Sequence, residues 1–203
     1  MNSTMHCRIS ARRWGGVEDD YREIHDFIDS TKVLCADNRH RILHTMWGVN
    51  EVIVPIFGHT LINSDGKEVN VKDMCERDHL LVDFANKFIP TLGDFVENID
   101  VDTRVLAKQI EAFHETLPVN DRLTQLLLSP LSSTGSVKSL LVTHNSWFIN
   151  DIVPRILKCR PVIQDFSLTP ADLFHPMTFR SWMNNGLTYP PSAEKMLALT
   201  ARN

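Results

Sequence analysis

DNRHRILHTMWGVNEVIVPIFG, Asp37 to Gly58, is the stretch on which the fold turns. Asp37 or Asn38 can accept the free amide hydrogens at a helix start. Ile42, Leu43, Met46, Trp47, Ile53 and Ile56 then recur at helical spacing, which predicts an amphipathic helix ending at Phe57-Gly58. Pro55 lacks an amide hydrogen and is expected to disturb its last turn. The first residues are unusually polar for a core helix. Arg39 and Arg41 sit in the first turn, where the helix dipole disfavours cations unless an anion joins them. His40 and His44 are four apart and share one face.

Working outward, the chain before this helix opens with a basic, irregular piece ending in Gly15-Gly16. A first helix is expected from about Val17. Asp19, Asp20 and Glu23 suit its first turn, and Ile24, Phe27, Ile28 and Leu34 form its apolar stripe. After Gly58, TLINSDGKEV places short apolar runs around Asn63-Ser64-Asp65-Gly66, the pattern of a small β-hairpin. A third helix is expected from Val71 to about Phe88, stopped by Pro90. The later chain gives helices over 103–117, 121–128, 146–158, 170–184 and 192–201, with a loop at 129–136 and a turn at Pro190-Pro191. The expected fold is therefore all-α: a helical bundle with one hairpin between helices 2 and 3, and a helical C-terminal extension. The expected division is a domain over 1–100 and an extension over 101–203, with no internal repeat.

The 203 residues carry 43% hydrophobic and 23% charged side chains, ordinary values for a globular chain. No apolar run approaches the ~20 residues of a membrane span. A net charge of −4 disfavours general nucleic-acid coating. Cys7, Cys35, Cys75 and Cys159 are widely spaced and fit reduced thiols, so a cytoplasmic setting is expected.

Each of the three early helices offers metal-binding side chains one turn apart. These are His25 and Asp29, then His40 and His44, then Glu76, His79 and Asp83. On all three the polar face borders the apolar stripe, so the groups can point into a bundle. Imidazoles with carboxylates suit zinc, iron or manganese, and Glu-x-x-His is the spacing of di-iron carboxylate bundles. Such an ion brings the pKa of a bound water toward neutrality. The alternative is a buried polar network that only fixes helix packing. No glycine-rich phosphate loop, dinucleotide fingerprint or nucleophile elbow is present. Thr143 or Asn145 in THNSWF reads as a helix cap, and His59, His114 and His175 look isolated.

The first ~90 residues resemble an uncharacterised family, a domain of unknown function found in bacteria and their viruses. The resemblance rests on HCRIS (6–10), Gly15-Gly16, DYREIHDFIDSTK (20–32), ADNRHRILH (36–44), Phe57-Gly58, NSDGKEVNVKDM (63–74), ERDHLLVD (76–83) and IPTLGDF (89–95). His25, Asp29, Lys32, Asp37, Arg39, His40, Arg41, His44, Glu76, His79 and Asp83 match its pattern. Thr45 stands where relatives often carry a second histidine, and VIVPIFG lacks the glutamate many carry before Phe-Gly, leaving Glu51 one turn earlier. The resemblance implies a bacterial or virus-infected cell but no activity.

These observations lead to a metal-dependent hydrolase of a small anionic, phosphate-containing substrate or nucleotide. His25, His40, His44, Glu76 and His79 are the expected ligands of a divalent zinc, iron or manganese ion. Asp29 and Asp83 are the expected general bases, and Arg39, Arg41 and Lys32 the expected anion contacts. The competing expectations are a binding or regulatory protein with a structural polar cluster, and a di-iron redox protein.

Overall fold

The structure, a computed structural model, describes residues 2–161, 163 and 167–184. It is all-α apart from one antiparallel hairpin. Helix α1 (Ser3–Trp14) replaces the irregular opening expected from the sequence. Its buried residues are His6, Cys7 and Ser10, so the face it turns inward is largely polar and hydrophobic periodicity is silent there. Gly15 and Gly16 then turn the chain at positive φ, values that glycine adopts without cost. Helix α2 (Asp19–Ile28) follows, with Tyr21, Ile24, His25, Phe27 and Ile28 buried.

The hairpin pairs β1 (Thr60–Ile62) with β2 (Glu68–Asn70) in the register Thr60–Asn70, Leu61–Val69, Ile62–Glu68. Its tip clamps the α1–α2 turn. Gly16 N donates to Asp65 Oδ2 at 2.6 Å, Ser64 N and Oγ donate to Asp20 Oδ2, and Asn63 Nδ2 donates to the Tyr21 hydroxyl. The hairpin thereby fixes how α1 folds back over α2. Asn70 caps the next helix by accepting from Asp73 N. That helix is α4 (Val71–Cys75), a π-helical turn (Glu76–Leu80) and α5 (Leu81–Asp83) in one continuous run. It stops before the expected Phe88, because Ala85 and Asn86 adopt left-handed backbone.

The opening stretch is not one helix. Asn38–Leu43 form a tight 3₁₀ turn, the chain bends at His44-Thr45, a π-helix runs over Gly48–Ile53, and α3 (Val54–Phe57) closes it. Thr45 makes the bend: its hydroxyl donates to Ile42 O and accepts from Gly48 N. A methyl at Gly48 would sit 2.3 Å from the Leu43 carbonyl, so the tight path needs glycine there.

The same path recurs one hundred residues on, a repeat that the sequence analysis missed. Val137–Val142 form a 3₁₀ turn, a bend follows, Phe148–Ile152 form a π-helix and α9 (Val153–Leu157) closes it. The pattern of buried and exposed positions over 41–50 and 141–150 is identical. His44, Trp47, Asn50 and Glu51 are answered by His144, Trp147, Asn150 and Asp151. Asn145 takes the role of Thr45: its side chain donates to Leu141 O and accepts from Phe148 N. Both π-helices run into a proline, Pro55 and Pro154.

Around this second copy lie α6 (Leu92–Val96), α7 (Thr103–Thr116), α8 (Asp121–Thr134) and α10 (Pro170–Phe174). Helix α8 continues through Pro130 to Gly135, so the loop expected at 129–136 is largely helix. The expected helix at 192–201 and the Pro190-Pro191 turn lie outside the described residues. Core side chains from both copies form one hydrophobic cluster. Trp47 Nε1 donates to Ser129 Oγ, Arg39 donates to the Phe174 and Met177 carbonyls, and Lys158 Nζ donates to Ile56 O, tying the copies together. No described helix is long and apolar enough to cross a membrane.

Candidate metal centre

Four side chains converge where α2, the 3₁₀ turn before the first bend, and the α4–α5 run meet. One ligand atom from each of Asp29, His44, His79 and Asp83 lies within 4.8 Å of every other, and all four residues are buried. Asp29 closes α2, His44 is the residue at the bend, His79 sits in the π-turn and Asp83 ends α5. The helix irregularities therefore aim the four donors: each comes from a helix end, a bend or a π-turn.

The spacings are those of ligands around an ion. His44 Nε2 lies 3.1 Å from His79 Nε2, 3.3 Å from Asp83 Oδ2 and 3.4 Å from Asp29 Oδ1, and His79 Nε2 lies 3.6 Å from Asp29 Oδ1. Bonds of about 2.1 Å give ligand-to-ligand separations of about 3.0–3.4 Å in octahedral or tetrahedral sites. Asp29 Oδ1 and His44 Nδ1 are buried and make no hydrogen bond. A buried carboxylate oxygen without a donor is costly unless a cation meets it.

The protonation pattern fits the same use. Burial alone would raise the Asp29 and Asp83 carboxyls, but imidazole neighbours, joined at Asp83 by Arg41, hold both below the ordinary range. Burial pushes His79 well below its usual value, and His25 down to about 3. Anionic carboxylates beside neutral imidazoles are the forms that bind metal.

Behind His79 runs a chain of hydrogen bonds. His79 Nδ1 meets His25 Nδ1 at 2.9 Å, His25 Nε2 meets Ser10 Oγ at 2.9 Å, and Ser10 Oγ donates to Asp78 Oδ2 at 2.9 Å. Asp78 is also held by Arg13 at 2.6 Å and Trp14 at 2.7 Å. If His79 binds through Nε2, its Nδ1–H donates to His25, His25 Nε2–H donates to Ser10, and the serine hydrogen goes to Asp78. One direction satisfies every member, which is how an outer shell fixes a ligand histidine's tautomer.

Of the residues expected to form the site, the structure brings together His44 and His79, with Asp29 and Asp83 beside them rather than behind them. His25 stands one step back, on the His79 side. Glu76 pairs with Lys72 instead. His40 Nδ1 donates to Asp37 O at 2.6 Å, and its ring lies 5.9 Å from that of His44. Arg39 is tied to Asp37 and to two carbonyls. Lys32 Nζ lies 2.6 Å from Asp29 Oδ2 at the rim. Arg41 is buried with Nε 3.6 Å from Asp83 Oδ2, and its guanidinium lies over the Phe84 ring. Glu51 is partly exposed and outside the group. Sequence reasoning missed His6, Ser10 and Asp78. The signal for His6 and Ser10 was HCRIS, in a segment without helical apolar periodicity, and that for Asp78 was its place in ERDHLLVD.

A family model matches residues 1–105, described as a domain of unknown function (DUF6915). The chain belongs to this family. All four converging residues, the His79 chain and the first copy of the bend lie inside the DUF6915 match, and the second copy lies beyond it. No curated protein and no solved structure matches the chain.

Proposed function

We propose that this DUF6915 protein binds a divalent metal through Asp29, His44, His79 and Asp83, and uses it in hydrolysis of a small anionic substrate. The observation that carries the reading is the four-donor convergence at ligand spacing, with an Asp29 oxygen that no hydrogen bond satisfies. Two imidazoles and two carboxylates suit zinc, manganese or iron. On a six-coordinate ion they leave room for water, whose pKa such an ion lowers. Arg41 and, at the rim, Lys32 supply the positive charge that an anionic substrate needs.

A second reading has its own support. The four ligand residues are at most 8% exposed, and a closed four-ligand shell is the mark of a structural zinc. Metal content after reconstitution at neutral pH, followed by phosphoester hydrolysis with and without chelator, separates the two. Hydrolysis that returns with metal and fails in His44→Ala and His79→Ala supports the enzyme. A tightly held ion without chelator-sensitive activity supports the structural role. Absence of any bound metal overturns both.

A further inference from the structure

His6 is fully buried and its Nε2 has no hydrogen-bond partner. Its Nδ1 lies 2.6 Å from the Asp78 carbonyl, which can only accept, so Nδ1 carries a hydrogen, and in the neutral ring, the form that binds metal, Nε2 presents a lone pair. That lone pair faces another acceptor, Asp83 Oδ1, at 3.3 Å. Two acceptors held face to face inside a protein call for a cation between them.

The ion held by His44 and His79 cannot be that cation. The His6 and His79 rings stack with centroids 3.8 Å apart and planes 8° from parallel. A metal bound to His79 Nε2 lies in the plane of the His79 ring, hence well out of the His6 plane, where His6 has no lone pair. An ion in the His6 plane would lie about 3.5–4 Å from the first, the spacing of two-metal sites. Asp83 already divides its oxygens accordingly, Oδ2 toward His44 and Oδ1 toward His6, each at 3.3 Å.

We infer that His6 Nε2 and Asp83 Oδ1 hold a second divalent cation, with Asp83 bridging the two ions; this rests on the metal centre proposed above. Two cations and Arg41 outweigh the charge of Asp29 and Asp83. An anion must therefore complete the pair, a hydroxide or an oxygen of an anionic substrate. Among the described residues two ligands face the second ion, so it binds more weakly than the first and keeps open positions.

Cobalt(II) titration of the metal-free chain, followed by visible absorption and by metal content after gel filtration, tests this. Wild type should take up two equivalents in two resolved steps. His6→Gln should take up one and keep the absorption bands of the first step. Manganese(II) at two equivalents should give an exchange-coupled paramagnetic signal in wild type and an uncoupled one in His6→Gln. Saturation of wild type at one equivalent, or two equivalents in His6→Gln, overturns the second site and leaves the first standing. No uptake at all overturns the first site and, with it, the second. Circular dichroism of both chains checks that the variant folds, and the wild-type stoichiometry decides the matter even if it does not.

Discussion

Arg41–Asn50 and Leu141–Asn150 follow one path and bury the same positions, yet one borders a cluster of charges and the other a cluster of leucines. Arg41 in the first copy becomes Leu141 in the second. Helix α2 turns a histidine inward among Tyr21, Ile24, Phe27 and Ile28, whereas α8 buries Leu123, Leu126, Leu127 and Pro130. The bend histidine persists but changes partner: His44 faces Asp29, His79 and Asp83, whereas His144 Nε2 meets His114 Nε2 at 2.8 Å. The bend and π-helix are thus a frame that accepts either a polar centre or an apolar core. What the site does is decided by the side chains mounted on that frame, not by the frame itself.

The sharpest way to break the comparison is to remove one charge from the polar copy. Asp83→Ala would leave the buried Arg41 guanidinium without its carboxylate, and urea unfolding should show a loss of about 3–5 kcal/mol. Leu141→Ala, in the apolar copy, should cost about 2–5 kcal/mol through an ordinary cavity, with no dependence on metal. Loss of Asp83 should also abolish metal uptake. Retention of full stability and uptake by Asp83→Ala would show that the cluster is not a working unit.

Metal should stabilise one copy only. At free metal a thousand times Kd the folded state gains about 4 kcal/mol, read as a rise in melting temperature. His44→Leu, which installs at the bend the residue type lining the second copy, should erase that rise. His144→Leu should leave it intact. A rise surviving in His44→Leu would move the ion elsewhere.

The chain behind His79 offers a gentler change. Ser10→Ala breaks the relay between His25 and Asp78 while leaving all four ligands in place. Loss of such an outer partner costs about 10–100-fold in metal affinity. Competition with a chromophoric chelator should show that loss, and unchanged affinity would limit Ser10 to packing α1.

How much of this was legible in the sequence follows from the same contrast. Hydrophobic periodicity reports apolar faces, so α2, α7 and the hairpin could be read directly. The four converging residues were all visible in one-turn pairs, because His44, His79, Asp29 and Asp83 border sequence stretches with an apolar stripe to orient them. Which groups would meet was not legible. That depends on a bend at Thr45 and a π-turn at Glu76–Leu80, and both rotate side chains away from the ideal helical wheel. Helix α1 was invisible for the opposite reason: its inward face is His6, Cys7 and Ser10, which no apolar pattern marks. The repeat was missed because it is one of path and burial, with few identical residues to announce it.

Acid separates the copies more finely. Burial lowers His25 to about 3, His40 to about 4 and His144 to about 3. In the unfolded chain each takes a proton near pH 6.5. Between that value and the folded one the unfolded state binds more protons, so the metal-free chain loses stability as pH falls from about 6.5 toward 4. The slope is up to about 1.4 kcal/mol per pH unit for each histidine. His144→Leu should make the decline shallower by that amount and leave the share of His25 and His40. A slope unchanged by His144→Leu would mean that His144 protonates without cost in the fold.

The smallest effect belongs to His144 at neutral pH. Its Nδ1 lies 3.0 Å from the Leu140 carbonyl, so it donates there, and Nε2 is left to accept from His114. Leucine would lose these bonds and the 3.1 Å contact with Thr143 Oγ1 but would keep apolar contact beside the Phe113 ring, in a core that already holds Leu140, Leu141 and Phe148. Removing a neutral hydrogen bond costs about 1 kcal/mol, and apolar contact offsets part of it. His144→Leu should therefore shift the urea midpoint by no more than about 1 kcal/mol equivalent at pH 7. A loss of several kcal/mol would show that the second copy depends on its histidine as the first does, and the two halves would differ less than their cores suggest.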